Sequence, residues 1–263
     1  MFDAKKTADE IIEFIRDYYN KCNLKGAVIG ISGGKDSGVV AGLFAKALGP
    51  ENILGVWMPC HSKEEDMNNA TLVADKFGFD LITVDLTETY DNYVKGIRTI
   101  YGDTYLTEDI LKNANINIKP RLRTATLYYQ AALRTKLAGG TYIVPGTSNK
   151  CEIYVGYFTK GGDNVSDILV LADLTVDQVI AVGETIGVPD VVVHKAPDDG
   201  LSGLTDEDKL GVKYAEIAEV IRELENDTTI TPIEITEEVR QKVIKLHNNN
   251  QHKFNIPTYR KNY

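Results

Sequence analysis

The chain has 263 residues, 43% of them hydrophobic and 25% charged, enough to bury a substantial core and too rich in apolar side chains for a disordered or fibrous protein. Lysine and arginine number 29 against 38 aspartate and glutamate, and the formal charge of −9 repels a polyphosphate chain in bulk, which argues against nucleic acid as a partner. No run approaches the roughly 20 uncharged apolar residues that span a bilayer, and Asp3, Lys5, Lys6, Asp9, Glu10 and Glu13 occupy the stretch where a signal peptide needs an apolar run, so a cytoplasmic protein without a membrane partner is expected.

Ala8, Ile11, Ile12, Ile15 and Tyr19 recur at helical spacing among charges and predict an amphipathic helix over residues 3–20. Residues 26–31, Gly-Ala-Val-Ile-Gly-Ile, are apolar without alternation, as in a strand buried on both faces of a parallel sheet. A helix over 38–48, a strand over 53–58, a helix over 64–77 with Met67, Ala70, Val73 and Ala74 inward, and a strand over 81–84 follow. Residues 86–120 are polar, tyrosine-rich and less regular. A helix over 124–137 leads to a fourth strand at 142–145, and further helices are predicted over 175–186, 206–225 and 236–249. The alternation predicts an α/β fold with right-handed crossovers, an open parallel sheet with helices on both faces, and ligands beyond the carboxyl ends of its strands. No repeat or Pro/Gly/Ser-rich linker divides the sequence, so residues 1–263 are expected to form a single domain. Cys22, Cys60 and Cys151 are odd in number and lack metal-ligand spacing; they read as buried small residues in a reducing compartment.

The sharpest feature is Ser32-Gly33-Gly34-Lys35-Asp36-Ser37, between the first buried strand and a helix. Two glycines let the backbone approach an anion, helix amide groups point at it, and two hydroxyls add donors, which makes a phosphate cradle. A Walker A loop would need glycine at Ile29 and Ser or Thr at Asp36, and the GxGxxG spacing is absent as well. A carboxylate among phosphate-binding amides would repel the ligand unless a divalent cation lay between them, so Asp36 points to magnesium with a nucleotide.

The hexapeptide resembles the pyrophosphate-binding loop SGGxDS of the N-type ATP pyrophosphatases. Trp57-Met58-Pro59, Arg121-Leu122-Arg123 with Leu127-Tyr128, Gly146-Thr147-Ser148-Asn149-Lys150-Cys151-Glu152, Gly156-Tyr157-Phe158-Thr159-Lys160, and Thr205-Asp206-Glu207 through Leu210-Gly211 are similar, in order, to NAD synthetase. The resemblance runs from about residue 10 to about 255 and implies an adenine-nucleotide alpha hydrolase-like (Rossmann-like) fold. It also implies a ligase that converts nicotinate adenine dinucleotide (deamido-NAD), ATP and ammonia to NAD, AMP and pyrophosphate through an acyl adenylate. Position by position, it assigns Gly30, Ile31, Ser32, Gly33, Gly34, Lys35, Asp36, Ser37 and Thr147 to ATP, and Asp36 with Glu152 to Mg2+. It assigns Arg121, Lys160, Asp167, His252 and Lys253 to deamido-NAD, and implies a homodimer. No side-chain nucleophile is needed; positioning and the metal carry the catalysis. About 25 residues precede the loop, too few for an attached glutaminase domain, so free ammonia or a separate donor is expected to serve.

Two positions depart from the family pattern. Val176 stands where a lysine is usual and Asp198 where Thr or Ser is usual, both of which touch ATP in the family; Lys35 and Lys195 are candidates to restore the missing charge. The departures keep two rival readings in view: an adenylating enzyme with another acceptor, such as nicotinate mononucleotide or a tRNA base, and a nucleotide-binding regulator without turnover. The acidic charge counts against the tRNA version, and retention of both Asp36 and Glu152 counts against the regulator.

Overall fold

The computed structural model describes residues 2–102, 105–195, 205–254 and 256–259. Four parallel strands, β1 (Leu24–Gly30), β2 (Ile53–Trp57), β3 (Asp80–Thr83) and β4 (Thr141–Ile143), form one sheet in the order β3-β2-β1-β4. Ala27 of β1 lies opposite both Ile53 of β2 and Ile143 of β4, so the first strand is fully interior. Its side chains alternate between two cores, as the period of two dictates. Ala27 and Ile29 face one side, packed with α1 (Ala4–Cys22), α2 (Lys35–Leu48), α3 (Glu64–Phe77), α7 (Val176–Ile186) and α8 (Asp190–Val193). Val28 faces the other, with Leu54, Val56 and Tyr142 under Leu127 and Ala131 of α5 (Glu108–Ala138). This double cover is why the strand sequence shows no polar alternation.

Glycines in α2 let neighbours approach closely: a Cβ on Gly42 would stand 2.5 Å from the Phe77 ring, and one on Gly38 3.3 Å from Val192. Ten of the fourteen α2 residues are buried as a result. A third cluster joins α6 (Lys150–Val155), α10 (Tyr214–Glu225) and α11 (Glu237–Asn250) around Cys151, Ile217, Ile221 and Val243.

Several expectations are corrected. The helix after β1 starts at Lys35, not Gly38, because Gly34 already serves as its N-cap. Met67 is 41% exposed and not inward as expected, since it lies in the first turn of α3 at the edge of the face that Asn69, Ala70, Val73 and Ala74 bury. The segment read as irregular is helical: α4 (Thr87–Tyr101) precedes α5, and α5 continues through Pro120 without stopping. The fourth strand is split into β4 and β5 (Pro145–Gly146), and β5 pairs in parallel with β6 (Ile168–Leu169), which the sequence pattern did not reveal. The helix expected over 206–225 is two, α9 (Asp206–Leu210) and α10, separated at Gly211, whose φ of +63° ends the first. The short helices α6 and α8 lack a full apolar period and were not predicted. Cys60 and Cys151 are buried as expected, whereas Cys22, in the last turn of α1, is exposed. Among the described residues no helix is long and apolar enough to cross a membrane.

Candidate active site

From β1 the chain passes to β2 and β3 on one side and reaches β4 on the other, so the carboxyl ends of β1 and β4 flank a topological switch point, the crevice where such sheets hold ligands. The Ser32–Ser37 turn leaves β1 there. Gly33 has φ +79°, and a Cβ on it would stand 2.4 Å from the Asp66 carbonyl oxygen, so a side chain is excluded by both conformation and space. Hydroxyls fasten the turn: Ser37 Oγ accepts from the Ser32 amide at 3.2 Å and donates to the Gly34 carbonyl at 3.0 Å, while Ser32 Oγ accepts from the Gly34 amide at 3.2 Å and lies 3.0 Å from Ser37 Oγ. Because Gly34 supplies no side-chain cap to α2, the first amides of this 14-residue helix keep their capacity for an external acceptor. Lys35 is buried, its Nζ 3.6 Å from Asp36 Oδ2.

Across the crevice, residues 145–149 lead from β5 into α6, with Thr147 half-buried on the way. Asn149 and Glu152 form a capping box: the Glu152 amide donates to Asn149 Oδ1 and the Asn149 amide to Glu152 Oε2, each at 3.1 Å. Asn149 Nδ2 then donates to Asp36 Oδ1 at 3.3 Å, joining the two banks. Burial, and next the negative charge of Asp36, push the Glu152 carboxyl well above the usual carboxylate range. Asp206, at the start of α9, adds to the same field and accepts from Tyr157 Oη at 2.9 Å. These carboxylates are in surplus over the nearby cation Lys35. Two hard oxygen donors with room for phosphate oxygens and water match Mg2+, which is commonly held by one or two carboxylates plus substrate phosphates. No group of three or more His, Cys, Asp or Glu side chains placed to hold a metal occurs among the described residues.

A second group lies further along the crevice. Arg121 of α5 donates from Nε and Nη2 to the Lys160 carbonyl at 3.2 and 3.1 Å, and Lys160 Nζ donates to the His252 carbonyl at 2.7 Å. Lys253 Nζ donates to the carbonyls of Gly156 and Phe158 at 2.6 and 2.9 Å, so three chain segments distant in sequence converge on one cationic surface. Phe158 and Phe254, with ring centroids 4.9 Å apart, line an adjoining cavity of about 230 Å³ together with Ser148, Ile153 and Lys253. Asp167 sits apart from this chain of contacts. Its carboxylate accepts from the Val144 amide at 2.8 Å and from Tyr128 Oη at 3.2 Å, pinning the start of β6 to α5.

The departures also find their places. Val176 is buried beside Cys151 and Tyr214, in the third hydrophobic cluster. Lys195 pairs with Asp66, so its charge is already matched. Asp198 lies outside the described residues. Sequence reasoning passed over Asn149 and Asp206 as site residues, although Asn-x-x-Glu at 149–152 is a legible capping box; the Tyr157 and Tyr214 hydroxyls that face Asp206, the latter at 3.5 Å, carry no sequence signal of their own.

A switch-point cradle built on SGGKDS, opposed by a carboxylate-bearing capping box, defines an ATP pyrophosphatase-type protein of the adenine-nucleotide alpha hydrolase-like fold. The NAD synthase family profile matches residues 7–257. The NH(3)-dependent NAD(+) synthetase of Carboxydothermus hydrogenoformans is 35% identical over 254 residues, 96% of each chain. Among solved structures, NMN synthetase from Francisella tularensis superposes with a TM-score of 0.82 at 29% identity, covering 99% of both chains. NAD+ synthetase from Burkholderia pseudomallei superposes with a TM-score of 0.75 at 27% identity, covering 98% of this chain and 92% of its own. The chain belongs to the NAD synthase family.

Proposed function

We propose that the chain catalyses the ATP-dependent amidation of deamido-NAD with ammonia, forming NAD, AMP and pyrophosphate. The observation that carries this reading is the hydrogen bond from Asn149 to Asp36, which brings the Ser32–Ser37 cradle and the Glu152 carboxylate together in a chain of this family. The nicotinate carboxylate attacks the α-phosphate and pyrophosphate leaves; ammonia then attacks the acyl carbon, AMP departs, and the new amide loses a proton to solvent. The backbone of Gly30 to Ser37 would line the phosphate site, with the uncapped first amides of α2 as its donors and Thr147 on the opposite bank. Asp36 and Glu152 would hold Mg2+, which supplies positive charge to the phosphate oxygens. Arg121, Lys160, His252 and Lys253 would bind the acceptor dinucleotide, and Asp167 would orient it from the end of β4. Holding both reactants in one crevice provides the main acceleration.

Release of AMP and pyrophosphate from ATP, ammonia and Mg2+ on addition of deamido-NAD tests the reaction. The likeness to a structure described as an NMN synthetase makes nicotinate mononucleotide the informative competitor. The remote adenosine half positions the reacting carboxylate, so the shorter acceptor is expected to lose turnover as well as affinity. A higher kcat/KM for the mononucleotide would reverse the acceptor assignment, and no pyrophosphate from either would overturn the enzymatic reading.

A homodimer is supported by the outer faces of α4 and α5. Among them Tyr93, Ile100, Tyr101, Ile110, Tyr129, Leu133 and Leu137 are each at least 40% exposed. Isolated apolar residues on a surface are ordinary, but a helical pair lined with them fits a homodimer in which a second copy supplies the cover. A single domain over residues 1–263 is supported by the third cluster, in which α6 and α7 share partners with α10 and α11. Free thiols at Cys22, Cys60 and Cys151 fit a reducing, cytoplasmic setting.

A further inference from the structure

Asn149 is fully buried, at 0% exposure, in the middle of the site and yet has no assigned part in the reaction. Its side chain is engaged at both ends. Oδ1 accepts from the Glu152 amide at 3.1 Å and Nδ2 donates to Asp36 Oδ1 at 3.3 Å. Only this orientation of the amide is chemically allowed, because the reverse would set an NH2 group against an N–H and an oxygen against a carboxylate. The Asn149 backbone amide is held in turn by Glu152 Oε2 at 3.1 Å. The residue therefore touches both carboxylates that flank the crevice, one through its side chain and the other through the capping box.

Capping alone does not require asparagine. Serine, threonine or aspartate would cap α6 about as well. What asparagine adds is a donor on a separate atom from the capping acceptor, with the reach to cross from α6 to the start of α2. Serine is too short to make that second contact, and aspartate has no donor when ionised.

We propose that Asn149 is a positioning residue that sets the spacing of Asp36 and Glu152 for the divalent cation of the reaction; this rests on the reading that those two carboxylates hold it. Lys150, the next residue, makes the α6 side of the bridge rigid: its Nζ lies 2.9 Å from Asp173, 2.8 Å from Glu225 and 3.5 Å from Asp227, which anchors the first turn of α6 to the end of α10. Asp36, in the first turn of α2, is held on the opposite bank by the burial of that helix, ten of whose fourteen residues are buried. The amide joins two elements that are each held independently, which is the arrangement that transmits a spacing.

Asn149→Ser keeps the cap and removes the bridge, and Asn149→Thr is an independent second variant with the same logic. Each is compared with Asp36→Asn and with the double variant Asp36→Asn/Asn149→Ser. Pyrophosphate release is measured against Mg2+ concentration, and thermal melting is followed without ligand and with Mg2+ and ATP. For the Ser and Thr variants we expect an unliganded melting temperature close to the parent's and a smaller upward shift on adding Mg2+ and ATP. Half-maximal rate should need about tenfold more Mg2+, with the KM for deamido-NAD unchanged within about twofold. In the Asp36→Asn background the serine should cost nothing further, because the contact it removes acts through Asp36. A parental Mg2+ response in both capped variants, alongside loss of activity in Asp36→Asn, would overturn the proposal for Asn149. A parental Mg2+ response in Asp36→Asn itself would overturn the cation reading on which it rests.

Discussion

Two helical regions flank the same sheet and are covered in opposite ways. α2 buries ten of its fourteen residues, and its glycines admit Phe77 and Val192 to within contact of its backbone. α4 buries none of its fifteen, and α5 buries only Leu111, Lys119 and Ala131 among thirty-one. The first helix must hold one position, because its N-terminus forms the floor of the Ser32–Ser37 turn proposed to hold the phosphates, and close packing fixes it there. The second region contributes Arg121 and the Tyr128 hydroxyl to the crevice from its inner side and leaves apolar residues outward. Damage to the α2 side should therefore appear in chemistry and folding, and damage to the outer side of α4 and α5 in assembly.

The largest effect is expected at the cradle. Asp36→Asn and Glu152→Gln each remove a carboxylate proposed to hold Mg2+, and Mg2+-dependent formation of AMP should fall by roughly 10² or more while the far-ultraviolet circular dichroism stays that of the parent. Near-parental turnover in both would erase the distinction drawn for α2.

Next comes the outer face. Leu133→Asp and Leu137→Asp place a charge where a second copy would bury it, and the dimer should weaken by about 10²-fold, read by light scattering on a dilution series. Neither should lower the stability of the protomer by more than about 0.5 kcal/mol, because both sites face solvent within it. A parent protein that is already monomeric at micromolar concentration would break this half of the comparison.

Gly33→Ala comes third. Its φ of +79° and the Asp66 carbonyl 2.4 Å from an added Cβ force either strain or a shift of the turn. Backbone strain of about 1–3 kcal/mol should lower the melting temperature by roughly 3–8 °C, with weaker ATP binding by calorimetry.

The smallest effect sharpens the electrostatic account. Burial and Asp36 raise the Glu152 carboxyl above the usual carboxylate range, so without metal its ionisation disfavours the folded state. That penalty is absent below the pKa of an unfolded glutamate, about 4.3, grows as pH rises towards the raised folded value, and is complete above it. Glu152→Gln keeps an acceptor for the Asn149 amide and removes the penalty. In the presence of a chelator it should melt a few degrees above the parent at pH 8, with the gap closing as pH falls towards 4.

Much of the cradle side was legible because its determinants are contiguous. An unalternating apolar run, two glycines and a carboxylate within twelve residues specify a buried strand, a tight turn and a helix start by local sterics alone. The α4 and α5 region misled for a physical reason. Tyr90, Val94 and Ile97 recur at helical spacing and are half-buried in α4, but they alternate with polar and exposed tyrosine residues. Pro120 is a strong stop signal in sequence, yet the helix continues through it with Gly162 packed against the ring. Val176 looked like a lost contact with ATP in the sequence; it is a core residue in the fold.

The amino-acid sequence by itself determined the alternating α/β order and the glycine turn between β1 and α2, since each depends on residues within one or two turns of chain. Tertiary structure alone decided that β1 and β4 are neighbours, that Asn149 reaches Asp36 across 113 residues, and that Arg121, Lys160 and His252 meet. Such contacts depend on the packing of whole elements against the sheet, where the free energy of burial is shared among many side chains and no local pattern records which distant partner each one finds.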